Sequence, residues 1–416
     1  DVHFHGGDGA DFSDGSLEGL QMLGQYELQH GITSICPATM TLPEDQLITI
    51  CQTAVRYAQL SSSFNRNAPS KTRQPVPSDA CSTPETAELV GIHLEGPFIS
   101  PAKKGAQNEA YIRTPSASLF QKLWDASDGL LKLITIAPEQ EGALPFILEF
   151  SDRVHISVGH TTADYDTAVR AFDAGADHLT HMFNAMNPLH HRNPGPIGAA
   201  FGYPQVFVEM ICDGVHIHPA VINSSFRMFG PERIVLISDS MRATGLPDGH
   251  YELVDQPVDV HGNLATLPDG TIAASVTNLM DCMKKAVSMG IPLEAAVRSS
   301  SYNPACSIGI SGRLRSIAIG KQADCVLLDC NTLDIRAVIK AGRLIQQLIP
   351  CKFILTFQNG YTGSMLLHRS GSVIGSASYP QSPSSLLPCD TPFRSMGTFS
   401  GAPHQSCRHN CGNLPM

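Results

Sequence analysis

Eight short apolar runs, each followed by a stretch of helical pattern, constrain this chain more than any other feature. The runs are Asp1–His5, Ser34–Met40, Val90–Glu95, Lys132–Ala137, Arg153–His160, His178–Phe183, Val206–Cys212 and Arg233–Asp239. Segments such as Leu17–His30, Asp164–Gly175 and Pro219–Phe229 fit the helices between them. Strand and helix alternating in this way predict an α/β fold, a (β/α)8 TIM-type barrel. A doubly wound open sheet is the alternative, but no glycine-rich dinucleotide fingerprint follows the first run. Hydrophobic residues fill 42% of the 416 positions, enough for a core of that size.

After the eighth run the rhythm changes. Tyr251–Leu253, Val258–Val260, Thr271–Ala274, Gly312–Ser316, Asp324–Asp329 and Ile335–Lys340 read as short β-pieces, with helical pattern at Leu279–Met289 and Leu293–Ser299. The expected division is a barrel over 1–245 and 276–310, and a small flanking β-sandwich over 246–275 and 311–349. Residue 1 is Asp inside an apolar run, so a start within a longer chain is expected, with N-terminal strands of the small domain missing. Unpaired strand edges would then be an aggregation hazard. Residues 61–84, rich in Ser and Pro, read as an exposed insert. Residues 350–416 read as a disordered or non-native tail, with Asp390 as their one acidic residue. His404, Cys407, His409 and Cys411 in that tail lack the spacing of a structural zinc module.

Charge and thiols narrow the function. A net charge of −10 argues against a broad nucleic-acid surface, and no apolar run reaches bilayer length. Eight of the 12 cysteines are scattered between Cys36 and Cys330, mostly in apolar segments, which fits a reducing cytoplasm better than a disulfide framework.

The polar residues at the ends of the runs carry the chemistry. Catalytic groups of a barrel cluster at the C-terminal ends of its strands. Here those ends hold His3 and His5, then Glu95, His160, His181 and Asp239, with His216 just past the seventh run. One such histidine is more often structural than ligating, but several on one rim point to a metal centre. His3-x-His5 puts two imidazoles on one strand face. A mixed nitrogen and oxygen set suits Zn²⁺ or Fe²⁺ better than Ca²⁺ or Mg²⁺. Asp239, opposite these groups, could relay a proton from activated water to a leaving group; its blander role is a helix N-cap.

With those residues goes a run of motifs: His93-Leu94-Glu95-Gly96-Pro97-Phe98, Lys103-Lys104-Gly105-Ala106, His181-Met182-Phe183-Asn184-Ala185-Met186, His190-His191-Arg192-Asn193-Pro194-Gly195, Asp213-Gly214-Val215-His216, Ser238-Asp239-Ser240-Met241 and Gly320-Lys321-Gln322-Ala323-Asp324. From residue 1 to about 345, apart from the 61–84 insert, the chain resembles the amidohydrolase superfamily. Within it, the similarity is to the N-acetylglucosamine-6-phosphate deacetylases. The resemblance implies hydrolysis of a phosphorylated amino sugar to glucosamine 6-phosphate and acetate in a homodimer. It implies a main metal on Glu95, His160 and His181, a second on His3 and His5 in some members, and Asp239 as acid/base. Substrate contacts carry over to Ala106, Asn184, Ala185, Arg192, His216, Thr277, Asn278 and Leu279, with Arg192 and His216 suited to the phosphate. Gln107 departs from the family by replacing a histidine, and Ala274 and Val276 replace glycine and alanine. Other amidohydrolase substrates, such as N-acetylgalactosamine 6-phosphate or a cyclic amide, and an inactive fragment are the competing expectations.

Overall fold

The computed structural model describes residues 1–66, 85–314, 316–347, 353–356, 362–367 and 373–377. Seven parallel strands form its central sheet. In spatial order they are Ile234–Ile237, Phe207–Ile211, His178–Leu179, His155–Val158, Leu131–Ile136, Ile92–Glu95 and Ala38–Thr39. Each neighbour in space is the neighbour in sequence, with helices between, which is the winding of a (β/α)8 barrel. The eighth position is taken by Asp1–His5. That segment was expected as a strand, but its backbone is irregular. It still joins both edges of the sheet. Asp239 N donates to His3 O at 3.0 Å and His5 N to Ser240 O at 2.8 Å on one side; Cys36 N donates to Asp1 O at 2.8 Å and Ala38 N to Phe4 O at 2.7 Å on the other. The side chains of His3 and His5 both reach the site, two positions apart on one face.

The helices form for local reasons. Pro219–Phe229 begins with proline in its first turn and His218 as cap, accepting from Ala220 N, and it ends at Gly230. Its buried Ile222, Ser225, Phe226 and Phe229 recur at helical spacing, so one face meets the sheet. Asp164 caps Tyr165–Asp173 by accepting from Thr167 N at 2.8 Å. The helix Glu44–Arg66 overruns the start of the expected insert, since 61–66 are helical; residues 67–84 lie outside the described residues. Its apolar positions Leu47, Ile50, Cys51 and Ala54 keep helical spacing, and the Ser residues that follow extend the turn without breaking it.

Two three-stranded antiparallel sheets follow the barrel strands. One is Gly249–Leu253, Gln256–His261 and Leu264–Thr266; the other is Cys325–Leu328, Ile335–Lys340 and Arg343–Gln347. The expected strand Thr271–Ala274 is only a bridge at Ile272, because the chain turns into left-handed backbone at Ala274 (φ 54°). Gly312–Ser316 is not a strand either: Arg313 N and Leu314 N fold back onto Ile310 O. Within 350–416, strands Phe353–Thr356, Thr362–Leu367 and Val373–Ala377 form a third sheet. Those apolar runs are too short to carry a legible period, and the rest of the expected tail lies outside the described residues. The chain divides into two compact units, of which Asp1–Lys352 with Leu366–Ile374 is one. All the site residues below belong to that unit. No described helix is long and apolar enough to cross a membrane.

One buried group makes the fold pH-sensitive. Glu27, on the helix Leu17–Gln29, is fully buried and neither carboxylate oxygen has a hydrogen-bond partner. Burial pushes its pKa up to about 7. The folded state therefore keeps a proton that the unfolded chain releases near pH 4.5, so stability is present in acid and is lost as pH rises through 7. Against an unfolded value of 4.5, the loss is about 3 kcal/mol by pH 8. Glu27→Gln is expected to raise the denaturation midpoint at pH 8 and to leave it nearly unchanged at pH 4.5, as read by denaturant titration at both pH values.

Candidate active site

The C-terminal ends of the central strands meet around one carboxylate. Glu95 ends the strand Ile92–Glu95 and is 2% exposed. Its Oε1 lies 3.3 Å from His3 Nε2, 3.2 Å from His160 Nε2 and 3.0 Å from His181 Nε2. Its Oε2 lies 3.3 Å from His5 Nε2 and accepts from Gln107 Nε2 at 2.6 Å. Asp239 closes the opposite side, with Oδ1 at 3.2 Å from His5 Nε2 and 3.8 Å from His3 Nε2. All six residues expected around the metal are thus in contact.

Backbone conformation aims these side chains. His160 (φ 48°), His181 (φ 25°) and Asp239 (φ 51°) all sit in the left-handed region just past their strands. Non-glycine residues held there cost about 1–3 kcal/mol each. A strand continued in β geometry would alternate these residues in and out; the left-handed turn brings each side chain over the barrel mouth.

The imidazole tautomers are set from outside the cluster. His160 Nδ1 lies 2.8 Å from Lys103 O, His5 Nδ1 3.1 Å from Ala38 O and His3 Nδ1 2.9 Å from Glu209 Oε2. Those acceptors demand a proton on Nδ1, which leaves the Nε2 lone pairs facing Glu95. His160 Nε2 and His181 Nε2 stand only 3.1 Å apart. Lone pairs converging on a carboxylate without a donor between them form a donor set for a cation. His3, His5 and Glu95 make one such group, and Glu95, His160 and His181 another.

Without a cation, protons fill that role. Burial disfavours charge on His3 and His5, but Glu209, Glu95 and Asp239 outweigh it; His3 is raised well above the usual imidazole value and His5 to about 10. Burial would lift Glu95, yet His3, His160 and His181 hold it well below the ordinary carboxylate range. Burial likewise opposes ionisation of Asp239, and His5 and His3 prevail, keeping it a carboxylate that can accept a proton.

Around this centre the expected substrate residues are more dispersed. His216 is half-buried and its Nδ1 pairs with Asp213 Oδ2 at 2.7 Å. Burial opposes its charge, but Asp213 holds its pKa above the usual value. Asp213→Asn is expected to make His216 titrate at lower pH than in the wild-type chain, which histidine-resolved NMR would read. Asp213 also accepts from the backbone of Val215 and His216, and an Asn oxygen can keep the turn. Arg192 is exposed, on the loop before the helix Gly195–Phe201, with its guanidinium 2.7 Å from His191 Nε2. Asn184 Nδ2 donates to His181 O, and Ala185 has left-handed backbone (φ 49°). Ala106 O accepts from Gln256 Nε2 of the Gly249–His261 hairpin. Thr277 is half-buried; Asn278 is buried, with its side chain capping the helix Leu279–Ser288, and Leu279 is buried in the core.

The sequence alone left two participants unrecognised. Gln107, noted only as a departure, also accepts from Thr41 N at 2.7 Å and so braces Glu95 against the second strand. Glu209 lies within the strand Phe207–Ile211, where its alternation with Val208 and Met210 was the only signal.

Residues 1–349 match the amidohydrolase family. The N-acetylglucosamine-6-phosphate deacetylase of Bacillus subtilis (strain 168) is 36% identical over 337 residues, 80% of each chain. The N-acetylgalactosamine-6-phosphate deacetylase of Escherichia coli O157:H7 is 35% identical over 331 residues, 79% of this chain and 82% of its own. The Mycobacterium smegmatis N-acetyl-D-glucosamine-6-phosphate deacetylase, solved with N-acetyl-D-glucosamine-6-phosphate, superposes with a TM-score of 0.74 at 34% identity, covering 83% of this chain and 85% of that one.

Proposed function

The chain belongs to the amidohydrolase family, and from that premise we propose that it hydrolyses N-acetylglucosamine 6-phosphate to glucosamine 6-phosphate and acetate. The observation that carries this reading is four imidazole Nε2 atoms gathered on Glu95 beneath an ionised Asp239. The family is metal-dependent and the donor set here suits a divalent cation. We assign Glu95, His160 and His181 to one ion and His3, His5 and Glu95 to a second, with Zn²⁺ or Fe²⁺ as the cation.

When bound, the metal supplies Lewis acidity to the acetamide carbonyl and lowers the pKa of water. Asp239 takes the proton from the attacking water as the new C–O bond forms. His216, whose charged form Asp213 favours, donates to the developing oxyanion. Asp239 then returns its proton to the nitrogen as the C–N bond breaks, so the amine leaves neutral and acetate forms. Arg192 offers a planar fork to the phosphate, away from the scissile bond. Asn184, Ala185, Ala106 and Thr277-Asn278-Leu279 would line the sugar.

Acetate release from N-acetylglucosamine 6-phosphate by the metal-loaded chain tests the reading. The phosphate-free sugar should lose most of kcat/KM. The 35% identical galactosamine 6-phosphate deacetylase favours a second reading, in which the galactosamine epimer is turned over faster. No acetate from either sugar phosphate by a folded, metal-loaded chain would sink both.

The barrel over 1–245 and 276–310 with a small β-domain over 246–275 and 311–349 remains our division of the chain. A homodimer fits the exposed Leu189 and Phe201 that flank Arg192 in sequence. A cytoplasmic setting fits the buried free thiols Cys36, Cys51, Cys212 and Cys282.

A further inference from the structure

Glu209 is fully buried and points into the barrel beneath the cluster. A carboxylate there is costly unless its oxygens are used. One is used twice: Oε2 lies 2.9 Å from His3 Nδ1 and accepts from the backbone N–H of His181 at 3.2 Å. It therefore ties the His3 imidazole of one donor group to the His181 backbone of the other, at the first and sixth strand positions. Oε1 has no hydrogen-bond partner.

The layer around it is also polar. His93 packs edge-on against His3, with ring centroids 4.5 Å apart. His93 Nε2 lies 2.8 Å from Thr135 Oγ1, which is 2.8 Å from Thr180 Oγ1. His3 is thus held in plane by the His93 ring and in tautomer by Glu209. His5 needs no such carboxylate, because the Ala38 carbonyl serves it. A barrel layer filled only for stability would be better apolar, since a buried carboxylate that does nothing is a net cost.

We propose that Glu209 is the positioning residue that makes the first-strand group competent for a second cation. By holding the Nδ1 proton of His3, it presents the Nε2 lone pair toward Glu95. Without it, His3 is free to take the other tautomer or to turn about χ2, and the first-strand group loses one of its three donors. The Glu95, His160 and His181 group keeps all of its own side-chain donors. This inference rests on the two-cation reading above.

The test is titration of the metal-free full chain with Co²⁺, followed by its absorption bands and by competition with a chelator, for wild type, Glu209→Ala and Glu209→Gln. Wild type is expected to bind two equivalents. Glu209→Ala is expected to keep one with near wild-type affinity and to bind the other about 10–100-fold more weakly. Glu209→Gln keeps an acceptor for His3 Nδ1 and is expected to lie between. Thermal midpoints of the metal-free proteins show whether the variants fold; if the alanine variant does not, the glutamine variant decides. Two equivalents bound by a folded variant as tightly as by wild type overturn the inference alone. Equal weakening of both equivalents also overturns it, because that is the signature of a general structural role. A wild-type chain that binds fewer than two equivalents overturns the two-cation reading, and the inference with it.

Discussion

Asp239→Asn should abolish turnover while leaving the metal in place. The variant keeps an oxygen near His5 and His3 and keeps the backbone bond from Asp239 N to His3 O. It loses the carboxylate that can take up a proton and return it. General acid–base groups contribute about 10²–10⁴-fold, and Asp239 serves in both proton transfers, so a loss near the upper end of that range in kcat is expected. KM should change little, since the sugar and phosphate contacts lie elsewhere. Steady-state acetate release together with metal content measures both. A variant that loses its metal in parallel with activity would place Asp239 among the ligands and remove it from proton transfer.

Glu95→Gln should have the opposite signature, with metal and activity lost together. Both Glu95 oxygens are within 3.3 Å of imidazole nitrogens, and between them they serve all four histidines. The amide replaces an anion by a neutral group and puts an N–H donor against Nε2 lone pairs. Affinity at both positions should fall by more than about 100-fold, beyond what loss of a merely supporting group costs. Metal content after dialysis and near-UV circular dichroism would separate this from unfolding. Two tightly held equivalents in Glu95→Gln would contradict the bridging arrangement.

Much of this was legible from the residues because strand alternation and strand ends are local signals. His160, His181 and Asp239 fall on one rim from the sequence alone, since each lies at or near the end of an apolar run. What was not legible depends on distant partners. Glu209 reads as one polar position in Phe207–Ile211, and only closure of the barrel brings it to His3, 206 positions away. Gln107 reads as a missing histidine until Thr41 N and Glu95 Oε2 are seen on its two ends. The pattern of His178–Phe183 predicts one strand, but regular pairing covers only His178–Leu179, and left-handed backbone follows at His181 and Phe183. Asp1–His5 is not a regular strand either, although its backbone still bonds to both neighbouring strand positions.

The left-handed backbone at His160, His181 and Asp239 has a consequence for how such a protein can change. Any route to a hardier variant that relaxes those three positions toward ordinary extended geometry would swing the side chains off the barrel mouth. Selection for heat resistance with no demand for turnover should accumulate glycine or asparagine there first. Selection with turnover maintained should leave all three untouched and find its gains in the outer helices and loops. The divergence between two such evolved lineages would mark the catalytic rim without any knowledge of the substrate.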